Sequence, residues 1–211
     1  MNRPAYLQQI EKRMMNAPAG DAFITSDFLD IADTQVVNKA LSRLAEDRKI
    51  RRVLRGVYDC PRYSELLQEY TAPRMETVAK AIARNFGWTI APCGDTALNM
   101  LGLSTQVPAV WLYVSDGPYR EYDVGSMKLK FKHTTHKDIA GISAQSALVV
   151  QALKALGNGN VNEKIIRRLS SMLTVNEKKA LFLETQRGTT WIYEIAREVC
   201  CIARHCGGKA Y

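Results

Sequence analysis

Between Asp33 and Tyr58 the chain changes from one hydrophobic period to another. Val37, Ala40, Leu41 and Leu44 recur at i, i+3, i+4 and i+7, the apolar stripe of an amphipathic helix. Asp33 or Thr34 can cap its start by accepting a hydrogen bond from a first-turn amide. The opposite face carries Gln35, Asn38, Lys39, Ser42 and Arg43, polar or cationic groups with donors to offer. After Asp47 the pattern shortens to a strand, Lys49–Leu54, a turn at Arg55-Gly56 and a second strand, Val57–Asp59.

Upstream, Tyr6, Leu7, Ile10, Met14 and Met15 predict a helix over Tyr6–Met15, broken by Asn16-Ala-Pro-Ala-Gly20. A short apolar segment, Ala22-Phe23-Ile24, leads to Ser26, a good N-cap, and a compact helix over Asp27–Ala32. That helix, a short turn and the helix from Thr34 make a helix-turn-helix pair, and the arginine-rich hairpin supplies a wing. Residues 1–61 thus read as a winged helix-turn-helix domain. Residues 62–73 read as a connector, partly helical over S-E-L-L-Q-E-Y.

Residues 74–206 read as a second, α+β domain opened by a helix, Met75–Asn85. A strand over Trp88–Ala91 precedes a helix over Asp95–Leu101, capped by Asp95 or Thr96 and ended by Gly102. Three strands follow: Ala109–Ser115, apolar almost throughout and so central, Tyr119–Val124, and Met127–Lys132. In the last, Met127, Leu129 and Phe131 alternate with Lys128, Lys130 and Lys132. Helices are expected over Ser143–Leu156, Asn162–Met172, Thr174–Gln186 and Thr189–His205, with a frayed tail over 207–211. The fold class is α+β: a winged helix-turn-helix, then a small, mainly antiparallel sheet with C-terminal helices.

Composition narrows the partners. The chain has 211 residues, a formal charge of +8 and 46% hydrophobic residues, an ordinary globular balance with a leaning toward polyanions. No apolar run approaches the about 18 residues that span a bilayer. Met1 to Arg13 carries no apolar h-region, so no signal peptide is expected. Five irregularly placed cysteines point to reduced thiols in the cytosol.

The candidate chemistry is recognition of double-stranded DNA. Thr34, Gln35, Asn38, Lys39, Ser42 and Arg43 would face the major groove, and Arg48, Arg51, Arg52 and Arg55 would meet phosphates or the minor groove. The competing reading is a solvated basic surface on a winged helix that contacts protein. Arg43 also sits where it could brace the apolar stripe. Lys128, Lys130 and Lys132 form a second basic surface, or a charged edge that discourages strand pairing. His133 and His136 have poor spacing for a metal pair, and Cys200, Cys201, His205 and Cys206 lie on the pattern of a helix rather than a zinc motif. Glu121, Asp123 and Lys128 could be forced into a metal-dependent nuclease or phosphoesterase site, the less favoured alternative, though turn and strand-exterior places suit them better. No phosphate loop or nucleophile elbow is present, so no enzyme site, metal or cofactor is expected.

Val36–Leu44 (V-V-N-K-A-L-S-R-L) and Ile50–Tyr58 (I-R-R-V-L-R-G-V-Y) resemble the N-terminal domain of AbiEi-like antitoxins of bacterial type IV toxin–antitoxin systems. Gly94-Asp-Thr-Ala-Leu98 and Leu101-Gly-Leu103, followed by Pro108 and a strand, are similar to that family's short helix ending in G-L before its sheet. The resemblance covers residues 5–156. It implies a cytosolic DNA-binding protein that represses its own operon through operator repeats, with a second domain countering a nucleotidyltransferase-like toxin.

Overall fold

The computed structural model describes residues 4–134 and 139–205, with side chains as far as Cys201. His136, Cys206 and the tail 207–211, named above, lie outside the described residues. The chain divides into two units, residues 1–88 with 123–126, and residues 89–122 with 127–211.

In the first unit, α1 (Ala5–Asn16) buries Leu7, Ile10 and Met14. It is followed by β1 (Ala22–Ile24) and a 3₁₀ turn, Thr25–Phe28. The compact helix expected over Asp27–Ala32 does not form. The Asp27 carboxylate reaches back to accept from the Ile24 amide at 2.9 Å. The amides of Ile31 and Ala32 both donate to the Phe28 carbonyl, at 2.9 and 3.3 Å. The segment therefore closes as successive tight turns that bury Phe28.

α2 (Thr34–Glu46) follows, burying Val37, Ala40, Leu41 and Leu44 as the stripe requires. Asp33, rather than Thr34, is its cap: one carboxylate oxygen accepts from the amides of Gln35 and Val36, both at 2.9 Å. At the other end the Lys49 amide donates to Leu44 at 3.0 Å and the Arg48 amide to Ala45 at 3.1 Å. This is the Schellman closure of a helix. The Ile50 amide also turns back to Leu44, which explains why β2 (Arg51–Leu54) starts two residues later than the apolar pattern suggests. β3 (Val57–Asp59) is the middle strand of a sheet ordered β1-β3-β2. Arg55-Gly56 makes the turn, with Gly56 at φ +80°. The core joins Leu7, Ile10, Met14, Phe28, Val37, Leu41, Leu44, Ile50 and Tyr58.

Residues 62–73 contain no helix. β4 (Tyr63–Ser64) pairs with β5 (Glu69–Tyr70), and the Tyr63 and Tyr70 rings meet edge-on at 5.4 Å. S-E-L-L-Q-E has no stripe to bury here: Leu66 and Leu67 stand 92% and 63% exposed at the hairpin tip. Nor does the second unit begin at residue 74. α3 (Met75–Phe86) buries Met75, Val78, Ala79, Ala81, Ile82 and Ala83 and packs on β1. Arg84 donates to the Ala22 carbonyl at 3.1 Å and to Asp27 at 3.0 Å, and the Thr77 hydroxyl donates to the Gly20 carbonyl. The first unit therefore runs to Trp88.

In the second unit, β6 (Ile90–Pro92), β7 (Val110–Ser115), β9 (Met127–His133) and β8 (Arg120–Val124) form a sheet in that order. β6 and β7 are antiparallel, but β7 and β9 are parallel, from Val110 opposite Lys128 to Ser115 opposite His133. The sheet is mixed through this one parallel pairing. β9 takes the inner place because Leu129 and Phe131 must be buried, whereas Arg120, Glu121 and Asp123 suit β8 to an edge. α4 (Gly94–Met100) has neither expected cap, because the Thr96 hydroxyl accepts the Leu112 amide at 2.7 Å instead. α5 (Ala144–Leu156), α6 (Glu163–Met172), α7 (Val175–Glu184) and α8 (Thr190–His205) follow the expected bounds closely. Leu101, Val149, Leu153, Leu169, Leu181, Ile192 and Val199 join them in one core. The protein is α+β. No helix among the described residues is long and apolar enough to cross a membrane.

Candidate nucleic-acid interface

The burial that orients α2 also decides what it presents. With Val37, Ala40, Leu41 and Leu44 turned into the core, Thr34, Gln35, Asn38, Lys39, Ser42 and Arg43 are all exposed. Asn38, Lys39, Ser42 and Arg43 line a shallow, open depression with Glu46 and Asp47. Among the described residues, Lys39 and Arg43 have no ionic or hydrogen-bonding side-chain partner. Asn38 is oriented from outside its helix: the Thr25 hydroxyl donates to its Oδ1 at 2.7 Å. Thr25, which sequence reasoning missed, is thereby part of the same surface. No local pattern links residues 13 apart, and only the 3₁₀ turn brings them together.

The cations after α2 sort into two groups. Arg51 is drawn into the fold, where Nε donates to Asp59 Oδ1 at 2.9 Å and Nη1 to the Thr71 carbonyl at 3.0 Å. All three nitrogens of this residue, expected on a DNA backbone, are engaged within the fold. Lys49 is paired with Glu11 of α1. Arg48, Arg52 and Arg55 are exposed and lack such partners among the described residues. The α2 face and the hairpin therefore offer five such cations: Lys39, Arg43, Arg48, Arg52 and Arg55.

A brace behind α2 holds the 3₁₀ turn. Arg13 of α1 grips Asp30 with two nitrogens at 2.8 and 2.6 Å, donates to the Asp27 carbonyl at 2.9 Å and lies over the Phe28 ring. Its hydrogen bonds hold the Asp30 carboxyl below its usual range, and Asp30 in turn raises the Arg13 guanidinium. Sequence periodicity contains no sign of this pair.

In the second unit the lysine face of β9 is largely answered. Lys130 and Lys128 lie 2.9 and 3.2 Å from the Glu121 carboxylate. Those two hydrogen bonds, that of Lys130 foremost, depress the Glu121 carboxyl, and Glu121 raises Lys130. Lys132 is exposed. Glu121 is thus engaged with lysines, and the His133 ring meets the Gly117 carbonyl at 3.0 Å through Nδ1. Among the described residues no three His, Cys, Asp or Glu side chains gather as metal ligands. Cys93 is buried and its thiol is pushed up to about 11 by desolvation, which keeps it protonated and unreactive near neutrality.

The model of a family of unknown function, DUF6088, matches residues 9–181, and the chain belongs to that family. No curated protein matches the sequence. A solved structure, the crystal structure of the RV2827C protein from Mycobacterium tuberculosis, is similar at a TM-score of 0.45 and 12% identity, over 99% of this chain and 79% of that one.

Proposed function

We propose that this member of the DUF6088 family is a cytosolic, DNA-binding transcriptional regulator whose first unit acts as a winged helix-turn-helix. α2 is its recognition helix and the β2–β3 hairpin its wing. One observation carries the reading: the outward face of α2 and the adjoining hairpin expose five cations with no ionic or hydrogen-bonding partner among the described residues, beside Gln35, Asn38 and Ser42. Amide and hydroxyl groups at that spacing can read base edges, while the cations neutralise phosphates. The resemblance to AbiEi-like antitoxins extends the reading to a repressor of its own operon that counteracts a nucleotidyltransferase-like toxin.

The test is a salt titration of binding to duplex from the gene's own upstream region beside a scrambled duplex. Sequence-preferring binding that weakens steeply with salt is the expected result. Equal weak binding to both, or none, would sink it. A second reading, a protein-interaction module, draws on the β4–β5 hairpin, where Tyr63, Leu66, Leu67 and Tyr70 are all exposed. Salt-insensitive binding to a protein partner, with no duplex affinity, would favour that alternative.

A further inference from the structure

We propose that Arg48 is a phosphate-contacting residue held in a left-handed backbone conformation at the expense of the fold. The inference rests on the DNA-binding reading and deepens it.

Arg48 has φ +57° and occupies the residue just past the C-cap of α2. The two amide bonds that close the helix there require this conformation. Glycine adopts it without penalty, whereas an arginine Cβ crowds the following carbonyl. The neighbouring cations serve the fold: Lys49 answers Glu11 and Arg51 answers Asp59. Arg48 is exposed and has no ionic or hydrogen-bonding side-chain partner among the described residues.

The length of α2 says what the residue is placed to meet. Its 13 residues span about 20 Å at about 1.5 Å per residue. The major groove is about 12 Å wide. A recognition helix of this length that enters by its N-terminal half carries its last turn out over the phosphates, where such helices contact the backbone. Arg48 follows that last turn directly. A cation beside a helix C-terminus also complements the helix dipole, but that effect is read in stability, whereas a phosphate contact is read in binding.

The experiment compares full-length wild type with Arg48→Gly and Arg48→Lys. Thermal unfolding is set beside anisotropy titrations on the upstream and scrambled duplexes across a range of salt. Arg48→Gly is expected to raise Tm by about 2–4 °C as the strain is relieved. Affinity is expected to fall about 5–10-fold on both duplexes alike, with a salt slope shallower by about 0.9. Arg48→Lys, which keeps strain and charge, is expected to retain the wild-type Tm and most of the affinity. An Arg48→Gly chain that binds as wild type does, or that melts lower, overturns the proposal while leaving duplex recognition standing. A wild-type chain with no duplex affinity removes both.

Discussion

Arg51 and Asp59 face each other across the β2–β3 pairing and close a two-pronged ion pair, although the carboxylate is 1% exposed. The same guanidinium reaches the Thr71 carbonyl at 3.0 Å, so one side chain secures the hairpin and the strand end beyond β5. A carboxylate that deep needs its cation. Arg51→Leu is expected to lower stability by about 2–4 kcal/mol, since it strands a buried charge, as read from urea unfolding. Duplex affinity of the folded protein should change less than about twofold, because a fold-bound arginine adds little to a phosphate contact. A stable Arg51→Leu chain that loses duplex binding would return Arg51 to the interface.

Arg52 and Arg55 behave in the opposite way. Both are exposed, without side-chain partners among the described residues, so replacing either with alanine should move stability by less than about 0.5 kcal/mol. Each change should instead weaken binding to all duplexes and reduce the salt slope by about 0.9. Unchanged salt dependence would place the wing away from DNA.

Asn38 tests base reading. Thr25 holds its Oδ1 at 2.7 Å, which presets the amide on the exposed face of α2. Asn38→Ala should relax discrimination at one or two base pairs by about 1–3 kcal/mol, as seen in competition against single-substitution duplexes. A uniform loss across sequences would contradict the assignment.

Gly20 allows α3 to lie against β1. Its φ is +80°, and a Cβ there would stand 2.5 Å from Arg74 Cγ, the stem rather than the tip of that side chain. Gly20→Ala is expected to cost about 2–3 kcal/mol from strain and overlap together. Adding Arg74→Ala should recover the overlap but not the conformational part, measured as urea midpoints in a double-mutant cycle. Full recovery would show that backbone conformation contributes nothing at Gly20.

The depressed carboxyls set an acid limb. Asp30 is held down by Arg13, Glu121 by Lys130 and then Lys128, and Glu177 by the Thr174 amide and then its hydroxyl. A folded-state pKa below the unfolded one adds stability that is complete above the unfolded value, about 4. It is lost as pH falls through the folded value. Tm should therefore hold down to about pH 5 and decline below about pH 4. Arg13→Met should flatten part of that decline, and an unaltered acid limb would show that Asp30 does not contribute to it.

What the sequence determined by itself was everything governed by local period and punctuation. The stripe of α2, the turn at Arg55-Gly56, the alternation of β9 and the bounds of the last four helices follow from side-chain spacing and caps, which act within a few residues. The exposed face of α2 was legible for the same reason, since naming the buried stripe also names its opposite. Only the tertiary structure decided which arginines are available, because Arg51 and Arg52 differ by the partner that Asp59 offers to one of them. It alone placed α3 on β1, set β9 parallel to β7, turned residues 62–73 into a hairpin and closed Asp27–Ala32 as turns. The placing of α3 and the pairing of β9 depend on competition for burial between segments distant along the chain, and the two local closures turn on single hydrogen-bond acceptors and ring contacts that hydrophobic period does not encode.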